Sequence, residues 1–546
     1  MVRRRLVVLF LFLTITLAFL GWRLGKIALI WGPDLARGAV KQRSLASPLE
    51  SPRGQVLDRN LVPLTFPVRR LSLFLFPSLF QDQEGTRRLL EKELGESWLQ
   101  PWSKWLERRE PVVLRPDLSP GAWQRLRQLA LPGVLVAEEE IRYGPDALAR
   151  HLVGYVGPDG LGLAGLEKEF DHYLYRGWAP AVAALVDGRG KLISTRGYRL
   201  LPGGPLEETK DLVLTIDAKI QKVVEEVLDE NGVSRGAVVV LAVKTGEILA
   251  LASRPNFDQN EVARFLSEEK TAPLLNRAVE AFQPGSLFKL VLLAAGLEER
   301  QLDLRSSFYC PGFIDIGNRR FRCYQSEGHG SISLREALAQ SCNVTFIQVG
   351  RKLGGTTILR YARRFGFGQK ATTDLGYENV GLLPEPTGLD PAELANLSLG
   401  QGQLLVTPLQ VAQFTQAVAN DGVLISPHVI REVRTRRGLA IFRPQVPPGR
   451  RVMSPQTAAR IREAMLAVTE EGTGQLAWLP EGGSAGKTGS AETGRSGLSH
   501  AWFTGYAPAG RPQYVVTVLV EEGGAGGTRA APLFRQILEG IGKRSG

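Results

Sequence analysis

Gln283-Pro284-Gly285-Ser286-Leu287-Phe288-Lys289-Leu290, continued by the apolar run Val291 to Ala295, decides how this chain is read. Pro284 and Gly285 mark a turn, and the residues after them start a buried helix. Ser286 therefore stands at the mouth of a helix. Lys289, three residues on, shares its face, close enough for a neutral amine to take the hydroxyl proton. Burial and neighbouring cations lower a lysine pKa, and a helix N-terminus favours the oxyanion that forms. The implied chemistry is a serine nucleophile activated by lysine. Ser-x-x-Lys alone is a weak signal, since about one copy arises by chance in a chain of this size. A second copy, Ser267-Glu268-Glu269-Lys270, has charged flanks and no Pro-Gly turn, and reads as a solvated helix face.

The 546 residues predict two or three domains. The net charge of +12 and pI near 9.6 come from basic residues, mostly Arg, scattered without a stripe or reading motif, so nucleic acid is not an expected partner. An envelope or membrane-surface setting fits the same charge. Cys310, Cys323 and Cys342 form no CxxC and no zinc spacing. A Cys310–Cys323 bridge and unpaired structural thiols are both open. The five histidines make no HExxH and no triad arrangement, so neither a metal nor a cofactor is expected.

Arg3-Arg4-Arg5 precede the apolar run Leu6 to Trp22, and Arg23 and Lys26 flank a second apolar patch, Ile27 to Trp31. The run is long for a signal peptide and no A-x-A site follows, which predicts an uncleaved single span over residues 1–32 with the arginines cytoplasmic and the bulk of the chain extracytoplasmic. Residues 33–205 read as a mixed α/β structural or docking module, with helical spacing at 87–108 and 120–130. A third region, 206–546, begins with a strand at Leu212 to Ile216, an N-cap at Asp217 and a helix from Ala218 to Leu228. A hairpin follows, Ala237 to Val243 and Ile248 to Ser253, around an exposed Lys244-Thr245-Gly246-Glu247 turn. Helices are expected at 286–299, 332–353, 407–420 and 455–470, strands at Gly483 to Glu492, His500 to Tyr506 and Tyr514 to Val520, and a last helix at Ala531 to Ile541. That order predicts an α+β fold, one antiparallel sheet closed by the two extremes of the region with a helical lobe between them.

Two further fragments bear on Ser286. Ser341-Cys342-Asn343 lies on or just before a helix, and Lys487-Thr488-Gly489-Ser490 lies on a strand, where Gly486 and Gly489 are expected to leave room for a substrate backbone. Ser-x-x-Lys, Ser-x-Asn and Lys-Thr-Gly in this order are the signatures of penicillin-binding proteins and serine β-lactamases. Nearly the whole chain resembles a class B penicillin-binding protein, with Ser398-Leu399-Gly400-Gln401-Gly402, Thr407-Pro408-Leu409-Gln410, Ala419-Asn420-Asp421-Gly422, Glu471-Gly472-Thr473-Gly474 and Ala491-Glu492 at family places. Arg53-Gly54, Asp58-Arg59-Asn60 and Gly165-Leu166-Glu167 resemble the family's pedestal. Leu61 departs from it by replacing the usual glycine, and Gly144 by separating Tyr143 from Pro145.

The resemblance implies a penicillin-binding/β-lactamase-like transpeptidase domain on a pedestal (dimerisation) domain, and a D,D-transpeptidase that crosslinks peptidoglycan stem peptides. It implies Ser286 as nucleophile, Lys289 as base, Ser341 as proton relay and Lys487 as a source of positive potential. Asn343 would bind the donor amide, Thr488 the terminal carboxylate, and the backbone N–H groups of Ser286 and Ser490 would form the oxyanion hole, with Gly489 beside them. β-Lactams would inhibit, and a multispanning glycan polymerase would be the partner. A β-lactamase needs a deacylating carboxylate, for which Glu393-Leu394-Ala395-Asn396 is a poor match. A D,D-carboxypeptidase would use the same residues with water. A scaffold or sensor conflicts with the complete set and the lack of a signalling module. Cys310-Pro311-Gly312 through Gly328-His329-Gly330 resembles elongation-type penicillin-binding protein 2 or its sporulation relatives; elongation is the expectation, with division and sporulation as alternatives.

Overall fold

The computed structural model describes residues 2–32, 44–48, 53–107, 111–175, 181–185, 198–201, 209–386, 388–494 and 497–545. Val2–Lys26 is one helix, continued by a π-helical turn at Ile27–Trp31. At 1.5 Å per residue its 25 residues reach about 37 Å, more than the roughly 30 Å of a bilayer core. Its two threonines bond within the helix, Thr14 and Thr16 donating to the carbonyls of Phe10 (2.7 Å) and Phe12 (2.8 Å).

The chain divides into two compact units. The first comprises Met1–Pro52, Pro67–Arg142 and Gly177–Leu206. Within it Val68–Leu75 is the centre of an antiparallel three-stranded sheet, between Val112–Leu114 and Val134–Ile141. Helices Gln83–Leu94 and Pro120–Gln128 pack Leu90, Leu94, Trp123 and Leu126 against Leu73 and Leu75. The helical spacing of 87–108 is realised in pieces, because Gly95 leaves the helix at φ +87° and Pro101 restarts it at Trp102–Leu106.

The second unit comprises Arg53–Phe66, Tyr143–Arg176 and Glu207–Gly546, so two segments from within 33–205 pack with the C-terminal residues. The buried Arg53 guanidinium holds them together, donating to the Glu167 carboxylate (2.9 Å), the Asp171 carboxylate (2.6 Å) and the Gly160 carbonyl (2.7 Å). Asp58 accepts from the N–H groups of Asn60, Val62 and Ala218, which closes a turn that carries Leu61 at φ +68°, the left-handed region for which glycine is the usual residue.

Helix α1 (Ala218–Glu230) is capped by Asp217, as the sequence predicts. Strands β1 (Gly236–Ala242) and β2 (Ile248–Arg254) form the hairpin. The segment bearing Ser286 is a 3-10 turn, Gly285–Phe288, leading into α2 (Lys289–Glu298). Then come α3 (Leu334–Ala339), α4 (Asn343–Leu353), α5 (Pro408–Ala419), α6 (Pro455–Glu470), β3 (Ala485–Glu492), β4 (Ser499–Ala507), β5 (Tyr514–Val520) and α7 (Gly526–Ser545). The sheet order is β2-β1-β5-β4-β3, antiparallel throughout, with β1 pairing β5 as expected of a sheet closed by its extremes.

Period-2 alternation divides the sheet residues between two cores. Ala237, Val239 and Leu241 of β1 face the helical lobe and the wholly buried α5, while Val238 and Val240 face Val223 and Val227 of α1 and Phe534 and Ile537 of α7. Both faces are covered, which is why these strands read as continuous apolar runs. The helix expected over 332–353 is two helices, separated at Ser341, whose φ is +52°. Ser267 to Lys270 is an exposed turn and not a helix face.

Candidate active site

The start of α2 is held from three sides. Gly285 has φ +56°, and a Cβ there would lie 2.8 Å from the Ser490 carbonyl oxygen. Its N–H donates to the Gly400 carbonyl (3.0 Å), the Trp502 indole N–H donates to the Gln283 carbonyl (3.0 Å), and the Gln283 amide reaches the Gly402 carbonyl (2.8 Å). The Gly400 and Gly402 segment thus buttresses the Pro284-Gly285 turn. Ser286 emerges half-buried on a cleft of about 830 Å3, which Ser341, Asn343, Thr488 and Ser490 also line.

Ser341 is placed by the end of α3. Its N–H donates to the Leu338 carbonyl (3.1 Å) and the Cys342 N–H to the Ala337 carbonyl (2.8 Å), the paired bonds of a Schellman motif. The left-handed position that glycine usually takes is here a serine, and this strain turns its hydroxyl toward two lysines. The Lys289 amine donates to the Ser341 carbonyl (2.8 Å), the Ser341 Oγ (3.3 Å) and the Asn343 Oδ1 (2.7 Å). The Lys487 amine donates to the Ser341 Oγ (3.0 Å) and the Thr488 carbonyl (2.9 Å). Asn343 in turn donates through Nδ2 to the Arg322 carbonyl (3.1 Å).

Both amines are fully buried. Burial lowers Lys289 to about 8. Burial and then the Lys289 charge push Lys487 well below its ordinary value. Two ammoniums around one hydroxyl repel, so the free site favours charge on Lys289 ahead of Lys487. The direct Ser286–Lys289 hydrogen bond suggested by their spacing is not formed among the described residues, because Asn343 and Ser341 draw the amine aside; such bonds often tighten only when substrate binds.

On β3, Thr488, Ser490 and Glu492 face the cleft, and Thr488 shares a hydrogen bond with Thr473 (2.6 Å between hydroxyl oxygens). Thr473 was not singled out as a site residue from the sequence, though it stands in the quoted Glu471-Gly472-Thr473-Gly474. The glycines of β3 serve the protein itself. A Cβ on Gly489 would lie 2.9 Å from the Pro284 carbonyl, and one on Gly486 would lie 2.4 Å from the Phe503 ring. Their missing side chains admit the Pro284-Gly285 turn and the Phe503 ring, not a substrate backbone.

Residues 236–539 match the family description "Penicillin binding protein transpeptidase domain", and residues 48–203 match "Penicillin-binding Protein dimerisation domain". The chain is a class B penicillin-binding protein. Stage V sporulation protein D of Bacillus subtilis is 32% identical over 98% of this chain and 85% of its own length. Peptidoglycan D,D-transpeptidase MrdA of Acinetobacter baumannii is 27% identical over 96% of this chain and 85% of its own. A solved structure described as "Structural coordination of polymerization and crosslinking by a peptidoglycan synthase complex" matches with TM-score 0.69 and 29% identity, covering 98% of each chain.

As a class B penicillin-binding protein the chain is a serine penicillin-binding transpeptidase. The carboxylate weighed for a β-lactamase is engaged elsewhere, since Glu393 closes the capping box of helix Pro391–Ser398 by accepting from the Asp390 N–H (3.0 Å). The Cys310–Cys323 bridge is not present. All three cysteines are free and buried, and the two sulfurs in contact belong to Cys323 and Cys342 (3.9 Å).

Proposed function

We propose that this penicillin-binding protein is a peptidoglycan D,D-transpeptidase in which Ser286 attacks the carbonyl of the penultimate D-Ala of a stem peptide. The observation that carries the reading is the convergence of Lys289 and Lys487 on the Ser341 hydroxyl beside Ser286. Lys289, close to half neutral near pH 8, takes the Ser286 proton as the C–O bond forms. Ser341 relays a proton to the leaving D-Ala amine, whose departure completes the acyl-enzyme. The amine of a neighbouring stem then attacks the ester, forms the crosslink and returns Ser286. Asn343 holds the donor amide, Thr488 and Ser490 flank the terminal carboxylate, and the N–H groups of Ser286 and Ser490 stabilise the oxyanion. Lys487 adds positive potential beside Ser341.

We place the span with Arg3-Arg4-Arg5 in the cytoplasm and the transpeptidase domain outside. The partner is a multispanning glycan polymerase, in keeping with the polymerization and crosslinking named for the synthase complex above. Within wall synthesis the segment from Cys310 to Gly330 supports a role in elongation. A sporulation role is the second reading, favoured by the 32% identity to stage V sporulation protein D.

The test is reconstitution in vesicles with lipid-linked disaccharide-pentapeptide and a glycan polymerase. Dimeric muropeptides that disappear with Ser286→Ala support the transpeptidase; loss of D-Ala without dimers would replace it by a carboxypeptidase. Depletion in the source organism separates the roles, since rounded growing cells support elongation and a defect confined to spores overturns it.

A further inference from the structure

Among the described residues the charged side chains lining the active cleft are Arg320, Arg322 and Glu492; the rest of the lining is neutral. Arg320 is already engaged. Its guanidinium pairs with both carboxylate oxygens of Asp315 (2.8 Å each) and lies 4.0 Å over the Phe313 ring. Arg322 and Glu492 are exposed, and among the described residues neither side chain forms an ion pair or a hydrogen bond. One uncompensated charge of each sign therefore borders the cleft, and the two do not meet. Opposite charges that share a cleft without touching leave room for a ligand that carries both.

Their places in the fold relate both residues to the donor peptide. Among the described residues β3 pairs only with β4, so its other edge is open to an extended chain. Ser490 and Glu492 are exposed on one face of β3, two residues and about 7 Å apart. With the terminal carboxylate of the donor between Thr488 and Ser490, the residue that precedes the two D-Ala stands two positions back, the same distance of about 7 Å in an extended stem. A course antiparallel to β3 brings that residue beside Glu492. Arg322 reaches the same place from the opposite wall. It ends the strand Arg319–Arg322, and its carbonyl accepts from the Asn343 Nδ2 (3.1 Å), the side chain that holds the donor amide in the function proposed above.

We propose that Arg322 and Glu492 form a subsite for the residue preceding the two D-Ala of the donor stem, and that this residue is a diamino diacid, its side-chain ammonium meeting Glu492 and its side-chain carboxylate Arg322. The subsite rests on the transpeptidase reading above. The amine follows from that reaction, because each stem serves in turn as acceptor and as donor, so a donor carries the same amine that attacks the ester. The carboxylate follows from Arg322, which a plain diamine such as lysine would leave without a partner in the occupied cleft. A guanidinium takes a carboxylate through two parallel N–H···O bonds, and both contacts of the subsite are charge-assisted. Neither residue touches the reacting atoms. Their effect is on which stem is acylated.

The test uses the full chain in detergent with donor thioesters, stem analogues in which thiolactate replaces the terminal D-Ala and the residue before the remaining D-Ala is a diamino diacid, lysine or glutamate. Thiol release gives kcat/KM for each donor. Every value is divided by the same preparation's rate of acylation by penicillin, which lacks that residue. Wild type is expected to favour the diamino diacid over each of the other two by at least about fivefold. Arg322→Gln is expected to erase the advantage over lysine and keep that over glutamate, and Glu492→Gln to do the reverse. If a variant does not fold, the wild-type preference still decides. Equal rates with the three donors, no thiol release from protein that penicillin labels, or preferences unchanged in both variants overturns the subsite. Folded wild type that reacts with neither penicillin nor thioester removes the acylation reading itself, and the penicillin label tells the two failures apart.

Discussion

Ser341 joins strain to chemistry. A non-glycine residue in the left-handed region costs about 1 kcal/mol or more, and here it ends α3 while presenting its hydroxyl to Lys289 and Lys487. Ser341→Gly is therefore expected to hold or raise the melting temperature while slowing penicillin acylation by about 100-fold or more, the effect of losing a proton relay. Thermal unfolding and stopped-flow acylation on one preparation measure the two sides. Lys289 gives the second expectation. Burial lowers it to about 8, and the base must be neutral, so acylation rises by about tenfold per pH unit below that value and levels off above it. A flat profile between pH 6 and 9 would remove Lys289 from the role. The turn ahead of Ser286 was legible at this level because Pro284-Gly285 has one local meaning. The Ser341 geometry was not, since nothing in Ala-Gln-Ser-Cys-Asn announces a Schellman turn without a glycine.

The segment Arg53–Phe66 adds the parallel strand Val56–Leu57 beside Lys210–Leu214, and its anchor is the Arg53 guanidinium among Glu167, Asp171 and Gly160. The Arg53 and Glu167 side chains have no exposure to solvent. Arg53→Ala takes the cation away from the buried Glu167 carboxylate and is expected to cost about 3–5 kcal/mol in urea unfolding, whereas Arg53→Met with Glu167→Met, which removes both charges, is expected to recover most of that loss. The residues of this anchor were visible as family fragments, but their packing with the C-terminal residues was not, because its bonds, such as Ala218 N–H to the Asp58 carboxylate, span a sequence separation of 160. The sheet was legible for the opposite reason. Strands β1, β2 and β5 are apolar runs bounded by turn residues, and β1, β3, β4 and β5 stand within a residue or two of expectation. The approach of Cys323 to Cys342 was not legible, because Cys323 follows a short hairpin strand and Cys342 caps a helix, and only the fold brings the two together.

The N-terminal helix is long and apolar enough to cross a membrane, and the transpeptidase and dimerisation domains follow it. The full chain is expected to sediment with membranes after alkaline carbonate washing, and a chain lacking residues 2–31 to remain in the supernatant. Fold class and reaction class were legible from three short motifs in order; the shared burial of the two lysines, which lowers both amines, was not. The central claim is that Ser286 forms the acyl-enzyme. It is tested most directly by labelling full-length protein with a fluorescent penicillin, wild type beside Ser286→Ala and Ser267→Ala, with mass spectrometry of the labelled peptide. A stable adduct on Ser286 in wild type and in Ser267→Ala, and none in folded Ser286→Ala, is the expected result. Rapid turnover without an adduct, or label retained in Ser286→Ala, would contradict it.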